Sequence, residues 1–297
     1  MNKMTFDQRR TTRYLIWTFL IAWIMQAVVT VLDPSGLTLV GQLVMAVMMF
    51  TPLLGVLLAG GKLRDMGWKP RLKGNARFLL AAWFLPALLT AIGALLYFVV
   101  FPGHFDLSGA YLVATAGPEV LEQLAAQGLT YPMTVLISVV ACLTYAPLVN
   151  TLLAVGEEVG WRGLLYPQLK ARFGKGKGLM LGGLIWSVWH WPAIWLIGYE
   201  YGTDYVGFPI VGMLIFCIFT IAAGILCDWL YEKTECIWIP SIFHGAINAA
   251  GTVPLAICIA NTGSKILLGP APIGLLAGLP LTICAGVLLS KTVKPES

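Results

Sequence analysis

Long apolar stretches alternate with short polar segments along the whole chain, and these stretches have the length of membrane-spanning helices. A helix needs about 20 apolar residues to cross the hydrocarbon core of a bilayer. Eight stretches approach that length, at about residues 15–32, 37–59, 78–101, 133–155, 179–198, 208–230, 237–260 and 271–290. The pattern therefore predicts an all-α polytopic membrane protein, a single helical bundle over residues 1–297 with about eight transmembrane helices.

Composition supports the same class of protein. The 297 residues are 58% hydrophobic and only 11% charged, whereas soluble domains carry about 25% charged residues. The first apolar stretch is longer than the h-region of a signal peptide and is followed by no small-residue cleavage site, so we expect a retained helix. In the longest polar connection, residues 118–124 have apolar side chains at helical spacing and predict a short surface helix.

The distribution of basic residues predicts an orientation. If the N-terminus is cytosolic, all of the 19 Lys and Arg residues except Lys265 fall on the cytosolic side, from Lys3 to Lys294. This asymmetry is the positive-inside rule. It predicts an integral protein of the cytoplasmic (plasma) membrane with both termini in the cytosol. The net charge of +5 is then explained by topology and by contact with anionic membrane lipid, and we expect no nucleic-acid partner.

A few polar residues interrupt the apolar stretches in the second half of the chain. An unpartnered polar or charged group in hydrocarbon costs several kcal/mol, so such residues are candidates for a functional site. Two of the three histidines of the chain belong to this set. The candidates are Glu157, Glu158, Arg162, His190, His244 and Asn248.

The spacing of these residues gives each carboxylate a different environment. Glu158 and Arg162 are four residues apart and share a helix face in the favourable acid-first order. Glu157 points about 100° away from Glu158 around the helix and has no cation at that spacing. A paired glutamate stays ionised and structural, whereas an unpaired glutamate in a dry cleft is suited to accept and release a proton.

The histidines are predicted to reach the same depth of the membrane. His190 lies about 16 Å along its helix, and His244 and Asn248 share one face of another helix at about 10–17 Å, at 1.5 Å per residue. Glu157 reaches that level if its helix continues past residue 155. The pattern then predicts one cavity, open to the cytosol, that holds a carboxylate, two imidazoles and an amide.

Two kinds of hydrolytic chemistry fit this set of groups. Glu157 can take a proton from water while the histidines and Asn248 orient the water or donate hydrogen bonds to an oxyanion. Alternatively, Glu157, His190 and His244 can hold a divalent metal such as Zn²⁺ whose bound water is the nucleophile. The spacing is not the His-Glu-x-x-His of soluble zinc proteases. The residues alone leave open whether the cofactor is a metal or there is none.

Two functions without hydrolysis also remain. The polar residues can join helices by hydrogen bonds and ion pairs in a non-catalytic immunity or scaffold protein. They can also form the proton relay of a proton-coupled transporter. A relay is disfavoured because the polar residues cluster near one side of the membrane.

Three motifs in a fixed order resemble the CPBP intramembrane protease family. They are Glu157-Glu158-x-x-x-Arg162, then His190, then His244-x-x-x-Asn248, in this order on three helices. The family includes CAAX prenyl endopeptidases and bacterial abortive-infection members. The resemblance covers about residues 140–255, and places the catalytic core at 133–256 (helices 4–7). It implies an intramembrane endopeptidase that acts on a membrane-associated protein or peptide.

The resemblance also implies roles for the motif residues. The first glutamate, Glu157, is the general base on water, and the pair after it supports that base. The two histidines and Asn248 complete the site and stabilise the oxyanion. The family usually has Phe four residues before its first histidine, where this chain has Trp186, so we expect altered packing with activity retained. A prenylated, CAAX-like substrate is implied by the family name alone, and family members have been described both as metalloproteases and as metal-independent enzymes.

Overall fold

The computed structural model describes residues 5–33, 38–71 and 73–293, which form helices and connecting loops without a β-strand. Lys3 and Lys294 of the predicted cytosolic set lie outside these ranges. The α-helices are α1 (Gln8–Leu32), α2 (Leu39–Met48), α3 (Thr51–Leu58), α4 (Ala76–Val100), α5 (Ala110–Ala116), α6 (Val120–Ala126), α7 (Tyr131–Leu143), α8 (Ala146–Gly160), α9 (Tyr166–Phe173), α10 (Lys175–Ile197), α11 (Ile210–Thr234), α12 (Trp238–Ala256) and α13 (Leu279–Val293).

The all-α polytopic architecture is confirmed, but fewer spans are recognisable than the eight predicted. Among the described residues, five spans, with α2 and α3 taken together, are long and apolar enough to cross a membrane, or six if α6 and α7, bent by 86°, count as one. The fourth predicted stretch is divided between α7 and α8, and in the eighth the helix begins only at Leu279. The surface helix predicted at 118–124 is present as α6.

The helix that carries both glutamates continues well past residue 155. A π-helical turn, Trp161–Leu165, joins α8 to α9 without a break. Along α8, Glu157 lies about 16 Å from the start of the helix, at 1.5 Å per residue. Such π-helical turns occur frequently at functional sites, and this one directly follows the two glutamates.

Glycines allow the helices around the polar residues to approach closely. A Cβ atom on Gly245 of α12 would lie 2.6 Å from the backbone nitrogen of Thr151 in α8. On α10, a Cβ on Gly183 would meet the backbone of Ile221 in α11. Small residues at helix contacts are typical of membrane bundles, where close backbone packing replaces the hydrophobic effect. The first contact joins α8 to α12, and the second joins α10 to α11, which itself packs against α12.

A buried glutamine of α1 enters the hydrogen-bond ladder of α10. The Gln26 amide donates to the Trp189 carbonyl oxygen (2.8 Å) and accepts from the Ala193 backbone nitrogen (2.7 Å). It thereby bridges these two backbone groups of α10, next to Pro192, which has no N–H to donate. These two bonds lie on either side of His190 and fix the backbone that carries this residue.

Basic residues and ion pairs mark one end of the bundle, which we call the basic end. It consists of the loop 59–75 and the turns that join α9 to α10 and α11 to α12. Lys170 bonds Asp228 (2.7 Å) and Glu232 (2.9 Å), and Lys175 bonds Glu232 (2.7 Å). The connections 101–130, 198–209 and 257–278 lie at the other end, which we call the opposite end.

Candidate active site

A cavity of about 420 Å³ lies between α2, α8, α10, α11 and α12 and contains the predicted polar residues. Glu157, His190, His244 and Asn248 all line it. The remaining wall is mainly apolar and aromatic. The structure thus brings together the four residues that were predicted to share a cavity, and it places the other two candidates, Glu158 and Arg162, behind the wall.

Two indole groups hold the Glu157 carboxylate. The Nε1 atoms of Trp161 (3.0 Å) and Trp186 (2.7 Å) both donate to Oε2 of Glu157. Both tryptophans are buried, so these hydrogen bonds form away from competing water. Because both bonds fall on one oxygen, Oε1 keeps its lone pairs for a group inside the cavity. The carboxylate is positioned without a cation that would hold it permanently ionised.

The second glutamate is the centre of a buried polar group. Oε1 of Glu158 accepts from Nη1 of Arg162 (2.9 Å) and from Nδ1 of His244 (2.9 Å). Neither side chain of the Glu158–Arg162 pair is exposed. The Arg162 guanidinium also lies 4.7 Å from the ring centroids of Tyr166 and Trp186. Glu158 therefore orients His244, and Arg162 compensates the buried charge of Glu158.

The hydrogen bonds of the two histidines determine which nitrogen faces the cavity. Nδ1 of His190 lies 3.0 Å from the Trp186 carbonyl oxygen, and Nδ1 of His244 contacts the Glu158 carboxylate. Both partners accept hydrogen bonds, so each Nδ1 carries the proton. Nε2 is then the free nitrogen: it accepts a hydrogen bond in the neutral ring and donates one in the imidazolium.

Asn248 supplies a neutral donor on the same wall. It lies one helical turn after His244 on α12, and its side chain is exposed to the cavity. An amide can donate two hydrogen bonds without titrating. The cavity therefore offers a proton acceptor at Glu157, two imidazole nitrogens and an uncharged donor for developing negative charge.

The donor groups do not form a metal site in this arrangement. Among the described residues, no group of three or more His, Cys, Asp or Glu side chains is placed so that it could hold a metal ion. The proposed ligands Glu157, His190 and His244 line one cavity, but they do not converge on one point. We therefore derive no chemical step through a metal.

The cavity extends toward the opposite end of the bundle. Its lining continues from Glu157 to residues 197–200, 251–255 and 271–273, all of which belong to the opposite end of the bundle. The basic loops lie at the other end. The cavity therefore faces away from the basic loops of the bundle.

Some residues of the site were not identified from the sequence. The sequence predicts packing for Trp186 and indicates no role for Trp161, although both donate hydrogen bonds to Glu157. Tyr199 and Glu200 of the cavity wall were also missed. The ring of Tyr199 stacks on His190, with centroids 5.9 Å apart and an interplanar angle of 11°. For Glu200, the sequence offers one indication of a role: a carboxylate that directly follows a predicted membrane helix.

Comparison with known proteins agrees with the motif-based resemblance. Residues 133–250 match the family model described as type II CAAX prenyl endopeptidase Rce1-like. The chain is also 34% identical over 98 residues to the CAAX prenyl protease 2 of Methanococcus maripaludis, an alignment that covers 33% of this chain and 36% of that protein. The chain thus spans about a third of that curated relative. Every motif residue of the site lies inside the matched segment, and the resemblance is confirmed there.

Proposed function

We propose that this chain is an intramembrane endopeptidase of the CAAX protease family, which hydrolyses a peptide bond of a membrane-associated protein. The observation that carries the proposal is the placement of Glu157. Its carboxylate is held by two buried indoles at the inner end of a cavity that also contains His190, His244 and Asn248. To activate a water molecule, a carboxylate must be held in place and must keep one oxygen able to accept the proton. Glu157 is held through Oε2, and its Oε1 can accept that proton.

In the proposed reaction, Oε1 of Glu157 takes a proton from a water molecule in the cavity. The water oxygen attacks the scissile carbonyl carbon, and the carbonyl oxygen becomes an oxyanion. Asn248 donates to that oxyanion, and Nε2 of His190 or His244 donates to it when the ring is protonated. Glu157 then returns the proton to the leaving nitrogen as the C–N bond breaks. The products are a new carboxylate and a new amine.

The indole groups and Glu158 keep the reacting groups in place. Trp161 and Trp186 prevent Glu157 from turning away from the cavity, and Glu158 keeps the free nitrogen of His244 directed into it. Groups positioned in advance need no reorganisation in the transition state. A positioned carboxylate, imidazoles and an amide are sufficient for this sequence of proton transfers.

The substrate is proposed to enter from the side opposite the cytosol. The positive-inside rule places the basic end in the cytosol, and the cavity extends to the other end of the bundle. Both chain termini remain cytosolic in this orientation, in the cytoplasmic membrane. The scissile bond is then reached from the outer half of the bilayer, in a protein that is anchored in the membrane or bound to it.

Comparative proteomics of a deletion strain and a Glu157→Gln strain tests the function. We expect a membrane-associated protein to accumulate uncut in both strains and to be cut again when the wild-type gene is restored. New termini on the non-cytosolic side of that protein would support a cavity that faces away from the cytosol. New termini on the cytosolic side would show that the cavity faces the cytosol. Normal processing of every membrane protein in the Glu157→Gln strain would contradict the peptidase.

Trp186→Phe tests the hydrogen bond that positions Glu157. The substitution keeps an aromatic ring against Arg162 and removes the indole N–H. A hydrogen bond to a charged group contributes about 1.5–3 kcal/mol, so we expect kcat for peptide cleavage to fall about 10- to 100-fold with KM nearly unchanged. Trp195→Phe, at an exposed position of the same helix, is the control and keeps wild-type kcat. Equal kcat for both variants would show that packing alone explains Trp186.

A further inference from the structure

The charges that line the cavity are uneven. Glu157 and Glu200 contribute carboxylates, and none of the described lining residues is Lys or Arg. Arg162, the cation nearest in sequence to the site, lies behind the wall and is already paired with Glu158. Outside the catalytic set, Glu200 is thus the charged group that a substrate meets in this cavity.

The backbone around Glu200 is held in a strained conformation. Glu200 has φ 70°, in the left-handed region that non-glycine residues seldom occupy. Hydrogen bonds fix the chain on both sides, from the Tyr199 nitrogen to the Ala193 oxygen (3.1 Å) and from the Gly202 nitrogen to the Gly198 oxygen (2.7 Å). Residues held in such conformations are concentrated at ligand-binding positions. The carboxylate is therefore presented from a fixed turn at the end of α10.

The surroundings of Glu200 suit a cation. The Glu200 side chain is half-buried and forms no ion pair with any residue in the described parts of the chain; its hydrogen-bond partner is Tyr199. Tyr199 stacks on His190 and contacts Phe216 edge to face, at 6.4 Å between centroids. The wall from Glu200 to the catalytic histidine is thus aromatic, and aromatic faces next to a carboxylate bind ammonium and guanidinium groups.

We infer that Glu200 binds a Lys or Arg side chain of the substrate, close to the scissile bond. The inference rests on the proposed function and specifies its substrate class: a polypeptide segment that carries a basic residue near the cut.

A peptide library tests this specificity. Decapeptides with randomised sequence and an N-terminal acyl anchor are incubated with the purified protein in detergent micelles, and the products are sequenced by mass spectrometry. With wild-type protein, we expect Lys and Arg to be enriched about tenfold over Ala at one position near the cut, the effect of one partly buried ion pair. Glu200→Gln should lose the enrichment, and Glu200→Lys should replace it with enrichment of Asp and Glu.

Asp204 provides the matched control. It is a second carboxylate of the same connection, exposed and hydrogen-bonded to Asn261 (3.1 Å), and it does not line the cavity. Asp204→Asn should keep the wild-type preference.

The possible failures are distinguishable. If the wild-type protein cuts nothing, or Glu157→Gln cuts as well as wild type, the proposed function is wrong and this inference falls with it. If cutting depends on Glu157 but Lys and Arg are not enriched, or remain enriched in Glu200→Gln, the specificity is wrong and the function stands.

The pH dependence of cleavage gives the same test a second readout. Burial raises the pKa of the Glu200 carboxyl, against a smaller lowering by the hydrogen bond from Tyr199. Tyr111, Tyr199 and Tyr201 also interact with this carboxyl, and burial raises the pKa of each, so they stay neutral when it titrates. Only the ionised form attracts a cation, so kcat/KM for basic peptides should fall as the pH falls through the raised pKa. The preference for Arg over Ala should lose this pH dependence in Glu200→Gln.

Discussion

Replacing Glu157 with Gln is expected to lower kcat for peptide cleavage by about 100- to 10,000-fold, the range that a general base contributes. Glutamine has the same shape, and its carbonyl oxygen can accept the bonds from Trp161 and Trp186. It cannot take a proton from water. Purified variant and wild-type protein are compared on one membrane-tethered peptide reporter, with kcat and KM measured separately.

Folding is the necessary control for that result. Gln is uncharged and easier to bury than a carboxylate, so Glu157→Gln should equal wild type in abundance and in its elution from a gel-filtration column. Glu157→Asp keeps the acid but shortens it by one methylene, which draws it away from the two indoles, and should retain more activity than Gln. Full activity of Glu157→Gln would remove Glu157 as the general base and end the proposed mechanism.

The membrane itself explains why most of this site could be predicted from the sequence. Polar side chains are so costly in hydrocarbon that Glu157, His190 and His244 stand out from their apolar surroundings, and helical rise gives their approximate depth. A shared cavity required the helix of Glu157 to continue past residue 155. In the structure, α8 continues through the π-helical turn and meets this requirement. The number of clear spans was less predictable, because apolarity does not show where a helix breaks.

Other parts of the site depend on contacts that a linear pattern does not contain. Gln26 looks like an isolated polar residue of the first helix, and its insertion into α10 follows from packing. The bonds from Trp161 and Trp186 to Glu157 depend on side-chain direction. Glu200 lies in a loop, where polar residues are ordinary, and only the fold brings it to the cavity. The end of the bundle toward which the cavity extends becomes clear only when the helix ends are placed in space.

The structure also bears on the transporter alternative. The sequence placed the polar residues near one side of the membrane, but buried Asp228 and its partner Lys170 extend the polar set toward the basic end. Arg162 lies between Glu158 and that pair, within bonding distance of Glu158 and of the Gly224 carbonyl oxygen. A fixed cation in such a position is a barrier to proton passage. The arrangement therefore favours a closed reaction cavity over a continuous relay.

Arg162→Ala is expected to destabilise the protein and thereby to abolish cleavage. The guanidinium is fully buried and is the cation that compensates Glu158. Removing one partner of a buried ion pair costs about 3–5 kcal/mol because the other charge is left unpaired. Glu158→Gln should also reduce stability, since Arg162 then remains buried without an anion. Both variants should show a lower melting temperature and lower abundance than Glu157→Gln, which removes no ion pair.

The double variant Glu158→Leu/Arg162→Leu separates stability from catalysis. Replacing both partners of a buried pair by apolar residues is often neutral for stability, so we expect a melting temperature close to that of wild type. The value of kcat should still fall about 10- to 100-fold, because His244 no longer has the carboxylate that fixes its ring, and loss of a group that orients a histidine typically costs that much activity. Thermal unfolding and kcat are measured on the same preparation. A stable and fully active double variant would show that Glu158 does not position His244, and an unstable one would show that the pair is required by the fold itself.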